Sequence, residues 1–275
     1  FFFKQKTAYE ISTRDWSSDV CSSDLGRKPW SLKQLHRLIV TSATYQQSSG
    51  FLSDARTKPQ TPDPRPQTLL SRFPRTRLEA ELIRDSVLRA SSLLSPKIGG
   101  PSVYPPQPAS ITQEGVYGGK AWTESTGEDR YRRGLYTFAK RSAPYAMFNT
   151  FDGPSGEACI ARRDVSNTPL QALTLLNDTV ILEAAQALGR QLAAQPGSIE
   201  SRVENLFRRC LTRPPSADER SQLVKFFETQ RARFAAGELN AADFAGKGDG
   251  DANERAAWTA LARALLNLDE MIAKG

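Results

Sequence analysis

The sequence predicts a mainly α-helical domain, and three observations support this fold class. Apolar residues recur at helical spacing in six long stretches. Four of these stretches begin with a Ser or Thr that is followed three positions later by Glu or Gln, the pattern of a capping box. Proline and glycine concentrate between the second and third stretches. We therefore expect about six main helices, one long irregular crossover and at most a short β-hairpin.

The helices are predicted to begin at the capping boxes, which are residues 31–34, 76–79, 168–171 and 216–219. The first helix extends to about residue 48, and another begins at Ser198. The third box opens one continuous helix up to Gln195, with Pro169 at its first position. Asn177 falls on the apolar stripe of that helix. A buried amide must be hydrogen-bonded, so we expect it to have a polar partner.

We interpret residues 1–25 as a non-native leader, because they resemble the translated sequencing-adapter read-through found at the ends of metagenomic reading frames. They lack the continuous apolar core of a signal peptide. The true N-terminus is expected to lie in a longer parent protein. Residues 26–275 are predicted to form one domain, with helical parts at 32–95 and 168–275 and an irregular crossover at 96–165.

The crossover should be ordered, because it is rich in aromatic residues such as Tyr104, Tyr117 and Trp122. Alternation of apolar and polar residues over 134–139 predicts a short strand. Residues 50–72, which are rich in Pro, Thr and Arg, are predicted to be a surface loop.

Composition excludes several classes of protein. The net charge is +7, but no long run of Lys or Arg occurs, so a solvated surface is favoured over nucleic-acid binding. No stretch approaches the roughly 20 apolar residues of a membrane span. Outside the leader, the two cysteines Cys159 and Cys210 show neither zinc nor haem-attachment spacing. They form either a disulfide or, as we favour, two buried thiols. His36 is the only histidine, and its place at the edge of an apolar stripe favours a core residue over a catalytic base.

Polar residues at apolar-facing positions form the candidate site. We hypothesise that these residues from separate helices converge, and they are Arg84, Asp85, Arg162, Arg163, Asn177, Asp178, Asn267 and Asp269. The favoured interpretation is a buried network that pins the crossover to the helices. The alternative is a ligand site, in which arginines hold an anionic group and Asp85 or Asp178 is an acid–base candidate.

Several motifs in order carry a family resemblance. They are WSLKQLHRLI (30–39), SATY (42–45), RLEAELIRD (77–85), IGGPS (98–102), FAKR (138–141), SNTPLQAL (166–173), LND (176–178) and ALLNLDE (264–270). The chain from residue 26 onwards resembles the C-terminal conserved domain of large planctomycete cytochrome-associated proteins, domain of unknown function 1553. The resemblance implies an exported, extracytoplasmic parent whose upstream domains are partners of this one and can include a haem-binding module. It implies no activity and no catalytic residues, and we expect no cofactor in this fragment.

Three functions follow as hypotheses. The first is a structural or interaction domain of such a parent. The second is a module for surface glycans or sulfated polysaccharide, which a groove lined by Trp122, Tyr131 and Tyr136 would favour. The third is a carboxylate-based hydrolase. The sequence has no Gly-x-Ser-x-Gly, no metal-ligand cluster and no phosphate loop, but two suitably spaced acids would suffice for glycosidase chemistry.

Overall fold

The structure is a computed structural model that describes residues 31–47, 49, 73–108, 122–140, 143–156 and 158–274. The predicted leader and the whole of the predicted surface loop at 50–72 lie outside these residues. The chain divides into two compact units, which we describe separately. The described residues of the first unit are 31–47, 49 and 73–76, and the second unit runs from Arg77 to Lys274.

The first unit contains α1, Leu32–Thr41. Ser31 caps it by accepting from the Gln34 N–H, as the capping box predicts. The helix ends at Thr41 rather than near residue 48, because the Ser42 backbone is extended (φ −69°, ψ 143°).

The second unit is built mainly of helices. They are α2 (Ala80–Ala90), α3 (Ala146–Thr150), α4 (Pro169–Asn177), α5 (Thr179–Ala194), α6 (Ile199–Leu211), α7 (Ala217–Ala235), α8 (Ala241–Ala245), α9 (Ala252–Leu266) and α10 (Asp269–Ile272). In the part of the chain that the structure describes, six helices have ten or more residues, so the predicted fold class is confirmed. Strands β1 (Thr76–Arg77) and β2 (Ala273–Lys274), far apart in sequence, form a two-stranded antiparallel pair.

The core is organised around the pair α5 and α9. The close approach of these helices depends on Gly189, where a Cβ would lie 2.9 Å from the backbone oxygen of Arg255 and 2.2 Å from Thr259 Oγ1. On the side of α7, Trp258 is fully buried, and its ring centroid lies 4.1 Å from that of Phe227. Helix α2 packs against α5, which places the crossover next to the central pair.

Three further helix boundaries differ from the prediction. Asp178 breaks the expected long helix into α4 and α5, because its carboxylate accepts from the N–H groups of Val180 and Ile181 and starts a new helix. Thr76 lies in β1, and α2 begins at Ala80, after the N-cap residue Glu79, which makes no side-chain capping hydrogen bond. The last predicted helix is interrupted between α9 and α10.

The crossover is irregular, as predicted, but residues 134–139 do not form the expected strand. Gly134–Tyr136 is a 3-10 turn that follows another at Gly127–Tyr131. Single bridges connect Val103 with Thr137 and Ser95 with Arg132, so this segment adds isolated rungs rather than a sheet. Trp122 is one of the aromatic residues on which the prediction of an ordered crossover depends. It is buried and donates from Nε1 to the Pro105 carbonyl at 2.9 Å.

Candidate functional site

A groove of about 390 Å³ lies between α2, the crossover segment 133–140 and α3 with its flanking loops. Its apolar part is formed by Leu82, Leu135, Phe138, Pro144, Tyr145 and Phe148. Six charged side chains line it as well, namely Glu79, Glu81, Asp85, Arg133, Lys140 and Arg163. This volume is in the range of small-ligand pockets, so the groove is the candidate binding site.

The acids of the groove are paired with arginines. Arg163 binds Glu81 with two hydrogen bonds of 2.6 and 3.1 Å, and its guanidinium lies 3.7 Å from Glu79. Partial burial raises the pKa of Glu81, but the hydrogen bond from Arg163, together with a backbone hydrogen bond and the Arg163 charge, outweighs burial and leaves this pKa below its usual value. Glu81 is therefore held ionised as an arginine partner.

The wall opposite α2 is fixed by Arg84 and Asp85, neighbouring residues of that helix. Arg84 is 1% exposed and donates to the backbone carbonyls of Arg130 and Arg132. Asp85 accepts from the Gly134 N–H at 2.7 Å. A Cβ at Gly134 would lie 2.9 Å from the Cβ of Glu81, so glycine permits the crossover to approach α2 this closely. Arg84 and Asp85 of α2 thus both bind backbone groups of the crossover.

Arg132 extends this network within the crossover. Its side chain is fully buried and donates to the carbonyls of Pro101, at 3.1 Å, and Gly99. The guanidinium also stacks over the ring of Tyr136 at 3.8 Å from the centroid. Within the described ranges, no carboxylate lies within ion-pair distance of Arg84 or Arg132, so backbone carbonyls are the acceptors of both buried cations.

Helix α5 holds the same segment through Glu183. Arg130 donates to both carboxylate oxygens of Glu183, at 2.6 and 3.1 Å, and the Tyr131 hydroxyl donates to it at 3.0 Å. The hydrogen bond to Glu183 raises the pKa of Arg130, which keeps it charged. At the start of α5, burial raises the pKa of Asp178, and the opposing backbone N–H donors and the nearby charge of Arg84 do not cancel this effect.

A second network holds the loop that forms the far wall of the groove. Asp152 accepts from the Ser166 N–H at 2.9 Å, from the Ser166 hydroxyl at 2.8 Å and from Arg77. The Gln171 amide donates to Ser166 Oγ at 3.1 Å and to the Thr150 carbonyl at 2.9 Å. Asp152 has a φ of +57°, an uncommon conformation that this network stabilises.

Sequence reasoning did not identify Arg77, Asp152 or Ser166 as site residues. Arg77 and Ser166 lie in the motifs at 77–85 and 166–173, which is the signal that was available for them, whereas Asp152 lies in neither motif.

The predicted cluster forms only in part. Arg84 and Asp85 are buried as expected, and Arg163 is partly buried at the groove. Asp178 is partly buried at the start of α5, close enough for Arg84 to affect its pKa. Asn267 is partly buried, and its Oδ1 has no hydrogen-bond partner in the described structure.

The prediction that the other three residues are buried is wrong. Arg162, Asn177 and Asp269 are exposed. Asn177 donates to the Leu173 carbonyl of its own helix at 2.9 Å. The apolar stripe of α4 that was expected to face the core is exposed at Leu173, whose exposed fraction is 54%. Arg162 directly precedes Arg163 in the loop before α4 and lacks the partial burial of Arg163. Asp269 lies in the first turn of the separate helix α10. The prediction that all eight residues bind a common ligand stays a prediction.

The expectation for the cysteines is partly wrong. Cys159 and Cys210 are both free, but only Cys210 is buried, whereas Cys159 is exposed in the loop before α4. Burial raises the pKa of the Cys210 thiol to about 12. None of the helices in the described part of the chain is long and apolar enough to cross a membrane.

A family model described as "PSD1: Protein of unknown function (DUF1553)" matches residues 19–227, and the chain belongs to this family. The match begins within the segment 1–25 and ends before the motif at 264–270. No curated protein and no solved structure matches the chain. The planctomycete and cytochrome associations stay predictions of the sequence resemblance.

Proposed function

We propose that this chain is an interaction domain, without catalytic activity of its own, in an exported multidomain protein that carries a c-type cytochrome module. One observation carries the proposal. The buried arginines Arg84 and Arg132 donate to backbone carbonyls of the crossover, so the polar residues of the interior fix a loop structure in place. A fixed crossover forms one wall of an open groove, as an interaction domain requires.

The positions of the carboxylates support a non-catalytic role. Asp178 caps α5 and does not line the groove, whereas Asp85 lines the groove but is bound to the Gly134 N–H and lies 3.5 Å from Arg133. A general acid or base must reach the reacting group of its substrate. These two acids, which are the predicted acid–base candidates, are both engaged by protein groups.

The aromatic residues of the glycan alternative are also engaged internally. Trp122 is buried, Tyr131 donates to Glu183, and Tyr136 is covered by Arg132. No observation favours that alternative over the interaction domain, and it stays a prediction.

The proposal is tested with the full reading frame of the parent. The region encoded upstream is expressed separately and titrated with this chain by calorimetry, and its haem is measured as the pyridine haemochrome. We expect saturable association and a haem signal in the upstream region. Absence of both would contradict the proposal.

The hydrolase alternative is tested on the same protein with aryl esters and aryl glycosides. Wild type, Asp85→Asn and Asp178→Asn should all match the rate in buffer. A rate that wild type shows and Asp85→Asn loses would show that the groove is catalytic.

A further inference from the structure

Helix α1 of the first unit has an apolar face that is open to solvent. None of its ten residues is buried. The most exposed apolar side chains are Leu32 at 68% and Leu38 at 60%, and Leu35, Ile39 and Val40 are 36–44% exposed. A contiguous apolar face, unlike single apolar residues scattered over a surface, indicates that another structure covers it.

The residues around α1 are arranged as in an amphipathic helix. Leu32, Leu35 and Ile39 are spaced by three and four positions, so they lie on one side of the helix. Lys33 and Arg37, which are one turn apart, lie together on the other side. The helix therefore separates an apolar side from a basic side.

The charges around α1 are all positive. Residues 26–53 contain four basic residues and no acidic residue. Two of the four are Lys33 and Arg37, whose side chains are exposed. Among the described residues, no carboxylate lies within ion-pair distance of either one. Unlike the groove, where acids and arginines pair, the basic side of α1 has no counter-ion among the described residues.

We propose that α1 is a membrane-surface helix that binds anionic phospholipids, with its leucines among the acyl chains and Lys33 and Arg37 against the phosphate headgroups. A helix with leucines on one side and Lys or Arg on the other lies in the plane of the membrane surface. Ten residues span about 15 Å, half of the roughly 30 Å thick hydrocarbon layer, so α1 is too short to cross it. Trp30 comes directly before the N-cap Ser31, and tryptophan favours the membrane–water boundary.

Other occupants fit this face less well. A stable protein interface uses about 20–30 residues on each side, whereas the apolar face of α1 has five apolar side chains. A second copy of the chain would bring two positively charged segments together. A soluble polyanion would pair with the cations but would leave the leucines in water. An anionic membrane contacts both sides of the helix, and this contact needs no second protein.

The test measures binding of the full chain to sucrose-loaded vesicles by sedimentation. One set of vesicles is phosphatidylcholine, and in the other about 30% of the lipid is phosphatidylglycerol. Each basic residue near an anionic surface contributes about fivefold to the partition constant, so Lys33 and Arg37 predict about 25-fold tighter binding to the anionic vesicles. Raising NaCl from about 0.1 M to about 0.5 M should remove most of this difference by screening. Equal binding to both sets, or binding to neither, would overturn the proposal.

Charge variants locate the basic contact. Lys33→Gln/Arg37→Gln should lower binding to the anionic vesicles by about 25-fold and change binding to phosphatidylcholine little. The matched control is Arg162→Gln/Lys225→Gln, which removes the same charge from exposed positions of the second unit and should bind like wild type. Equal losses in the two double variants would show that net charge alone attracts the chain, and would overturn the proposal.

Leucine variants locate the apolar contact. Leu32→Gln/Leu38→Gln keeps the charge of α1 and should weaken binding to the anionic vesicles by about tenfold or more. The matched control is Leu170→Gln/Leu173→Gln on α4, where the two leucines are 58% and 54% exposed, and it should bind like wild type. Unchanged binding in Leu32→Gln/Leu38→Gln would show that the apolar face stays out of the membrane, and would overturn the proposal.

The upstream region of the parent separates this inference from the proposed function. If wild type binds no vesicles and Leu32→Gln/Leu38→Gln abolishes association with the upstream region, α1 is a protein interface, and this inference alone is overturned. Vesicle binding by wild type, without that association and without haem in the upstream region, would overturn the proposed function alone.

Discussion

Replacing Arg84 by methionine tests the role of the buried arginines. Methionine fills much of the same volume but removes the donors to the carbonyls of Arg130 and Arg132. Each hydrogen bond from a charged group contributes about 1.5–3 kcal/mol, and both carbonyls would remain buried without their partner. Part of this loss is offset because an arginine no longer has to be desolvated. We therefore expect the free energy of unfolding to fall by about 3 kcal/mol.

Urea unfolding followed by circular dichroism measures this change. With an m-value of about 2 kcal/mol per molar urea, the midpoint should fall by about 1.5 M. Arg162→Met is the matched control, because Arg162 is exposed, and a substitution at such a site should shift stability by no more than about 0.5 kcal/mol. If Arg84→Met is as stable as this control, the buried arginines do not hold the crossover, and the reasoning is refuted.

Three further predictions concern residues elsewhere in the second unit. Burial raises the pKa of Asp178 above 3.8, so its contribution to stability is greatest at low pH and is lost as pH rises through this raised pKa. Asp178→Asn keeps a capping oxygen and should remove that decline. Unfolding measured from pH 3 to 7 would then show a difference in the free energy of unfolding between wild type and Asp178→Asn that is smaller at low pH than at neutral pH. Gly189→Ala should destabilise the chain by about 1–3 kcal/mol through overpacking, because its Cβ would lie 2.9 Å from a backbone oxygen of α9, and an unchanged urea midpoint would contradict this close packing. In a Cys21→Ser background, Ellman's reagent should label Cys159 within minutes and Cys210 only after denaturation, since burial raises the pKa of the Cys210 thiol to about 12, and two rapid equivalents in the native protein would contradict the assignment.

Local patterns predicted much of the helical fold because they depend on neighbouring residues. Ser31, Ser198 and Ser216 cap helices at the predicted positions. The same kind of pattern failed at Thr76, because pairing with the distant β2 competes with helix formation there. A capping-box pattern of four residues carries no information about pairing with a distant strand.

The break at Asp178 shows a different limit. Apolar spacing continues across residues 170–192, so periodicity alone predicts one helix. The sequence Asn177-Asp178-Thr179 is also compatible with a new helix that Asp178 caps at its N-terminus. The structure has this second helix. Extended backbone at Asp178 changes the direction of the chain, and Leu170 and Leu173 consequently become exposed.

The candidate site was predictable for the residues of α2 but not for their partners. Arg84 and Asp85 interrupt an apolar stripe, and this marks them as buried polar residues. Their acceptors and donors are backbone groups of the crossover, and any residue type supplies such groups. Arg162 and Arg163 are equivalent in sequence, and only the fold of their loop decides that Arg163 meets Glu81.

The central claim is that α2 holds the crossover in place, and hydrogen exchange at the Gly134 amide measures this most directly. The Asp85 carboxylate accepts a hydrogen bond from this N–H, and Gly134 lies in a short 3-10 turn and not in an α-helix. We predict that it exchanges several orders of magnitude more slowly than an unprotected amide, at a rate close to that of Leu188 in the centre of α5. Exchange of Gly134 at the rate of an unprotected amide would contradict the account.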